Sequence, residues 1–110
     1  MKKLFLLIFL FPVFSVLAQE KEVLTKLDAK ADFYGDLARQ IWSNPELGYL
    51  ETKSSQLLQK TLSDAGFKVT AGVAGIPTAF VAEYGSGKPV IGIMAEFDAL
   101  PGVSQEAVSF

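Results

Sequence analysis

Hydrophobic and polar positions follow two different periods along this chain. Within 20–43, Leu24, Leu27, Ala31, Tyr34, Ala38, Ile41 and Trp42 recur at three- and four-residue steps. That spacing predicts one amphipathic helix with these side chains on a buried stripe. Gly35 weakens it by about 1 kcal/mol, and Pro45 ends it by pushing Asn44 out of helical dihedrals. The connector "NPELGYLE" leads to a second helix over 52–65, with Leu57, Leu58, Leu62 and Ala65 on its buried face. Thr52 is its expected N-cap, and Gly66 its left-handed C-cap, onto which Phe67 packs back. The period then shortens to two. "FKVTAGV" and "TAFVAEYG" predict two strands, and "PVIGIMAEF" a third. The turn Gly85–Ser86–Gly87 predicts that the second and third strands form an antiparallel hairpin. The run 90–95 has no polar side chain, which predicts a central strand covered on both faces.

A different pattern precedes residue 19. Lys2 and Lys3 are followed by an apolar run from Leu4 to Leu17, with small residues at Val16 and Ala18. This is the layout of a signal peptide, residues 1–18, cleaved after Ala18 for export to a periplasmic or extracellular space. The competing reading is a membrane anchor, but spanning needs roughly 20 apolar residues and Pro12 interrupts this run. After cleavage no stable membrane span is expected. Taking 18 residues from 110 leaves 92, with 8 basic and 12 acidic side chains and a net charge of −4. A mildly acidic chain without a basic patch argues against nucleic acid as a partner.

The chain contains neither Cys nor His. It has no disulfide, and it lacks the commonest metal ligand and the commonest general base. A metal site built from it alone would be all-oxygen. The carboxylates of most interest are Glu96 and Asp98 in "MAEFDALPG", where the apolar run ends in a turn. Asp98 reads either as a turn-former that bonds the Ala99–Leu100 backbone or as a site residue, since the ends of covered strands are where open α/β sheets place their sites. Glu96 is either a site wall or a solvated side chain. Glu46 is expected to hydrogen-bond backbone in the connector rather than to do chemistry. Gly48, Gly85 and Gly87 read as turn residues, and "GSGK" lacks the frame of a phosphate loop. The tail "LPGVSQEAVSF" has no closing helix or strand, and 92 residues bury little apolar surface, which predicts the front part of a larger fold rather than a complete domain.

Three stretches in order, "NPELGYLE", "AGFKV" and "IGIMAEFDALPG", resemble the amino-terminal part of the zinc-dependent aminoacylase and carboxypeptidase family, peptidase family M-twenty. The likeness is to its amidohydrolase branch, typified by aminobenzoyl-glutamate hydrolysis. The resemblance implies an α/β fold, here a partial catalytic domain over residues 19–110 with two helices followed by three strands of a mixed sheet. It implies an exported metallopeptidase-like hydrolase acting on the amide of N-acyl or N-aroyl amino acids. Members are often homodimeric and use zinc or manganese held by His, Asp, Glu and Cys, with a Glu as general base. In the family's His-x-Asp motif, Asp98 takes the Asp position, which orients ligands next to the metal, and Glu96 stands where the His would be. The later motifs have no match, so this chain alone is expected to bind no metal and to be inactive. The rival expectation is a small exported binding or interaction module without catalysis.

Overall fold

The computed structural model describes residues 20–103. The expected signal peptide and the last residues of the tail, 104–110, lie outside the described residues. The chain divides between Leu37 and Ala38 into two compact units.

In the first unit, residues 20–28 are helical (α1), and α2, Ala31–Trp42, begins after a turn at Ala29–Lys30. The single helix expected over 20–43 is therefore two. The break is not at Gly35, which lies within α2. It falls where the Lys30 amide bonds the Leu27 carbonyl, three residues back, and so overwinds the chain. The expected buried stripe is also not buried: Leu24, Leu27 and Tyr34 are exposed, and no residue of α2 is fully buried. Among the described residues, no helix is long and apolar enough to cross a membrane.

The second unit starts with the end of α2. Ser43 donates its hydroxyl to the Arg39 carbonyl and Asn44 its side-chain amide to that of Gln40. These side chains take carbonyls that the helix end leaves open, and Pro45 follows. Helix α3, Thr52–Asp64, packs against a two-stranded antiparallel sheet of β1, Lys68–Ala71, and β2, Phe80–Glu83. Lys68 pairs with Glu83 and Ala71 with Phe80 across the ladder. The strands are joined by 72–79, which contains a 3-10 turn, Val73–Gly75.

The end of α3 follows its sequence closely. Gly66 adopts φ +91°, its amide bonds the Ser63 carbonyl, and the Phe67 amide reaches back to that of Leu62. This pair of bonds is a Schellman cap, which needs a left-handed residue where Gly costs least. The Phe67 ring then meets Tyr84, with centroids 5.0 Å apart.

Three expectations are corrected here. Thr52 is not the N-cap: Glu51 holds that position and its side chain makes no cap bond. The hairpin joins the first and second predicted strands, not the second and third. Finally, the third strand does not form among the described residues: 90–94 makes no ladder, and Val90, Ile91, Ile93 and Met94 are 83–92% exposed. A run apolar on both faces needs cover on both, and among the described residues α3 is already occupied by β1 and β2. Among the described residues the fold is thus helices plus a two-stranded antiparallel sheet, not three strands of a mixed sheet.

No apolar side chain among the described residues is fully buried. Leu57, Leu58 and Leu62 are half-buried, Ala65 is exposed, and the buried residues are Ser54, Ser55 and Thr78. A small side chain lets backbones approach closely, and burial of its polar atom is tolerated where a partner exists. The Ser55 hydroxyl donates to the Thr78 carbonyl at 2.6 Å and accepts from Gln59 Nε2 at 2.9 Å. It ties α3 to the connection between the strands.

Candidate functional site

The polar residues of this chain converge around the connector 45–51, at the N-terminus of α3. The first turn of a helix presents amides without intrahelical acceptors. Glu46 supplies the acceptors: Oε1 takes the Lys53 amide at 2.9 Å and Oε2 the Ser54 amide at 2.8 Å. These two backbone bonds, led by that from Lys53, hold the Glu46 carboxyl below the usual glutamate range. The Ser54 hydroxyl is shut away beside this carboxylate without a well-formed hydrogen bond of its own.

Glu51 is the second acid. Its own backbone amide and then the Thr78 hydroxyl, which donates to Oε2 at 2.8 Å, hold its pKa below the ordinary value, against opposing contributions from desolvation and, less, from Glu46. Between the two acids the chain turns tightly. Leu50 donates to the Leu47 carbonyl, and Tyr49 carries φ +66°. The left-handed position of this turn belongs to Tyr49 rather than to Gly48 beside it. A bulky residue there costs about 1–3 kcal/mol.

Asp98 reaches this connector. The backbone amide of Ala99 donates to the Glu46 carbonyl at 2.7 Å, and the Phe97 ring lies 6.3 Å from that of Phe80. The Asp98 Oδ2 stands 3.6 Å from where a Cβ on Gly48 would be, with Glu51 Oε1 3.9 Å from the same point. So the structure brings Glu46, Gly48, Glu51 and Asp98 together. Glu96 is exposed on the unpaired segment two residues earlier.

The expectation that Glu46 bonds backbone is met, and the bonds it makes are those of a helix cap. Sequence reading missed Glu51, Ser54, Ser55 and Thr78. A usable signal existed: Ser54 and Ser55 continue the stripe of Leu58 and Leu62 at helical spacing, so small polar residues occupy a packed face.

The donors here are carboxylate oxygens, and two of the acids already spend theirs on amides and a hydroxyl. Among the described residues no group of three or more Asp, Glu, His or Cys side chains is placed to hold a metal ion. The described residues therefore do not fit a resident zinc or manganese by themselves. What they do provide is a connector tied to the first turn of α3, whose Glu46 carbonyl takes the amide next to the exposed Asp98.

No family model matches the chain. Curated relatives do. It is 47% identical over 81 residues to a p-aminobenzoyl-glutamate hydrolase subunit of Escherichia coli (strain K12), a match covering 74% of this chain and 17% of that protein. It is 38% identical to Thermostable carboxypeptidase 2 of Saccharolobus solfataricus, over 72% of this chain and 20% of the relative. It is 37% identical to IAA-amino acid hydrolase ILR1-like 2 of Arabidopsis thaliana, over 64% of this chain and 16% of the relative. The matched stretch thus spans a fifth or less of the length of these relatives. Over the matched stretch the chain is therefore similar to two proteins named as hydrolases and one named as a carboxypeptidase, and this likeness supports the amidohydrolase branch of the aminoacylase and carboxypeptidase family of peptidases, family M-twenty.

Proposed function

We propose that the whole protein to which this sequence belongs hydrolyses the amide bond of N-acyl or N-aroyl amino acids, with aminobenzoyl-glutamate as the test substrate. The observation that carries this is the 47% identity over 81 residues with a protein named as a p-aminobenzoyl-glutamate hydrolase subunit. Within that enzyme the present residues form a wall of the active site. The N-terminus of α3 and the connector hold Asp98 in place, and Asp98 orients groups at the reacting centre. Glu96 lines the approach to it. A zinc or manganese ion in such an enzyme takes its ligands from residues other than those described, and the general base comes from elsewhere too. The protein is exported, with residues 1–18 removed, and it assembles as an oligomer.

The test is turnover by the whole protein. Release of aminobenzoate from aminobenzoyl-glutamate, lost on chelation and restored by zinc or manganese, is the expected result. The 110-residue chain alone is expected to show none above a metal-only blank. Absence of turnover by the whole protein with any N-acyl amino acid would leave the binding-module reading. Mass spectrometry of exported material is expected to find Gln19 as the first residue, and an intact Met1 would refute cleavage.

A further inference from the structure

Glu46 makes three hydrogen bonds that point in two directions. Its carboxylate oxygens take one amide each from the first turn of α3, Lys53 at 2.9 Å and Ser54 at 2.8 Å. Its carbonyl takes the Ala99 amide at 2.7 Å. A carboxylate that accepts two adjacent amides through different oxygens has its plane fixed, and the backbone of the residue is fixed with it. The 96–99 segment has few other anchors: no ladder bonds hold it, and the run before it is exposed. Asp98 is the next residue to the anchored amide, and its Oδ2 lies over Gly48, two residues from Glu46.

We propose that Glu46 is a positioning residue for Asp98, clamping the turn that carries this carboxylate to the N-terminus of α3. Its part in turnover rests on the amidohydrolase reading, whereas the clamp itself does not. Both Glu46 oxygens accept amides of the first turn of α3, which suits the side chain to holding backbone. It acts through the distance and direction it imposes on Asp98. A misplacement of an active-site group by about 1 Å costs up to about a hundredfold in rate, so loss of the clamp should be read in kcat more than in KM.

The experiment uses the whole protein with Glu46→Ala, Glu46→Gln, Asp98→Ala and the Glu46→Ala/Asp98→Ala pair. Glu46→Gln keeps one acceptor oxygen and serves if Glu46→Ala fails to fold. Two quantities are read well below the melting temperature: hydrogen exchange at the Ala99 amide, and kcat and KM for aminobenzoyl-glutamate. We expect Glu46→Ala to speed Ala99 exchange selectively and to lower kcat roughly ten- to hundredfold with KM little changed. Glu46→Gln should recover part of both. In the Asp98→Ala background the Glu46 substitution should cost nothing further, since its effect runs through Asp98. A helix cap with no positioning role would instead lower the melting temperature and leave kcat per folded molecule unchanged, which overturns the proposal. Full additivity of the two substitutions overturns it as well. If the wild-type protein shows no turnover, the amidohydrolase reading falls, and the kinetic part of the proposal falls with it. The clamp is then judged by Ala99 exchange alone, and an unchanged rate refutes it.

Discussion

The stretch 46–83 and the run 89–95 both read in the sequence as parts of a folded core, yet they end in opposite states. In the first, buried positions are small and polar: Ser54, Ser55 and Thr78 are shut away and bonded into a network that includes Glu46, Glu51 and Gln59. In the second, the most apolar positions of the described chain are the most open, with Ile93 92% exposed. Apolar content therefore does not decide which segment holds its place here. Partners do. A hydrogen bond from Ser55 needs only the carbonyl of Thr78, and this unit contains it. An apolar strand needs two covered faces, and among the described residues α3 is already taken up by the hairpin.

This contrast breaks most sharply at Ile93. In the 110-residue chain Ile93→Asp should shift the stability of the α3–hairpin unit by less than about 0.5 kcal/mol, as at other exposed positions. It should also reduce self-association in size-exclusion chromatography, because the bare run is an aggregation-prone surface. In the whole protein the same change should cost at least about 2 kcal/mol in a denaturant melt, since a charge would enter a covered strand. Equal effects in both would end the distinction.

Ser55→Ala tests the other side. It strips the Thr78 carbonyl and the Gln59 amide of a buried partner, which should cost roughly 1–3 kcal/mol by urea titration of the chain. A neutral outcome would mean that water replaces the hydroxyl. Gly66→Ala follows at roughly 1–2 kcal/mol, the cost of a left-handed Cβ, with the added carbon 3.6 Å from the Tyr84 ring. Gly66→Asn should cost less, and thermal melts of the pair check the order.

The smallest expected effect concerns acid. Glu46 and Glu51 both have lowered pKa values in the fold, from backbone amides led by Lys53 in one case and by its own amide in the other. Each therefore adds stability that is present above the ordinary glutamate range and is lost as pH falls through the lowered folded value. Melting temperature should decline through that acidic window, and less steeply in Glu46→Gln. An identical slope in the variant would show that the cap contributes nothing to the pH dependence.

Much of the local structure was legible beforehand. The C-terminus of α3 is set by "AGF", where Gly66 supplies the left-handed residue and Phe67 the bond back to Leu62. The end of α2 is set by Asn44 before Pro45, and Glu46 in the connector reads as a backbone acceptor. Each of these depends on residues within a few positions of one another, so dihedral preferences and nearby donors suffice to fix them. Asp98 and Glu96 were also legible as candidates, because acids that close an apolar run are conspicuous.

The sequence by itself determined that α3 and the strands β1 and β2 form, where α3 stops, and which acids stand at the end of the apolar run, but not the break at 29–30 or the fate of the third expected strand. Tertiary structure alone decided which strands pair, which acids meet, and which faces are covered. β1 chose β2 across the eight-residue connection 72–79, although a tighter turn lay beyond β2. Glu51 met Thr78 across 27 positions, and Ala99 met the Glu46 carbonyl. Local preference is summed over neighbours along the chain and can be read from them. A pairing between distant segments is chosen by comparing every available partner at once, which the pattern of a run such as 90–95 does not reveal.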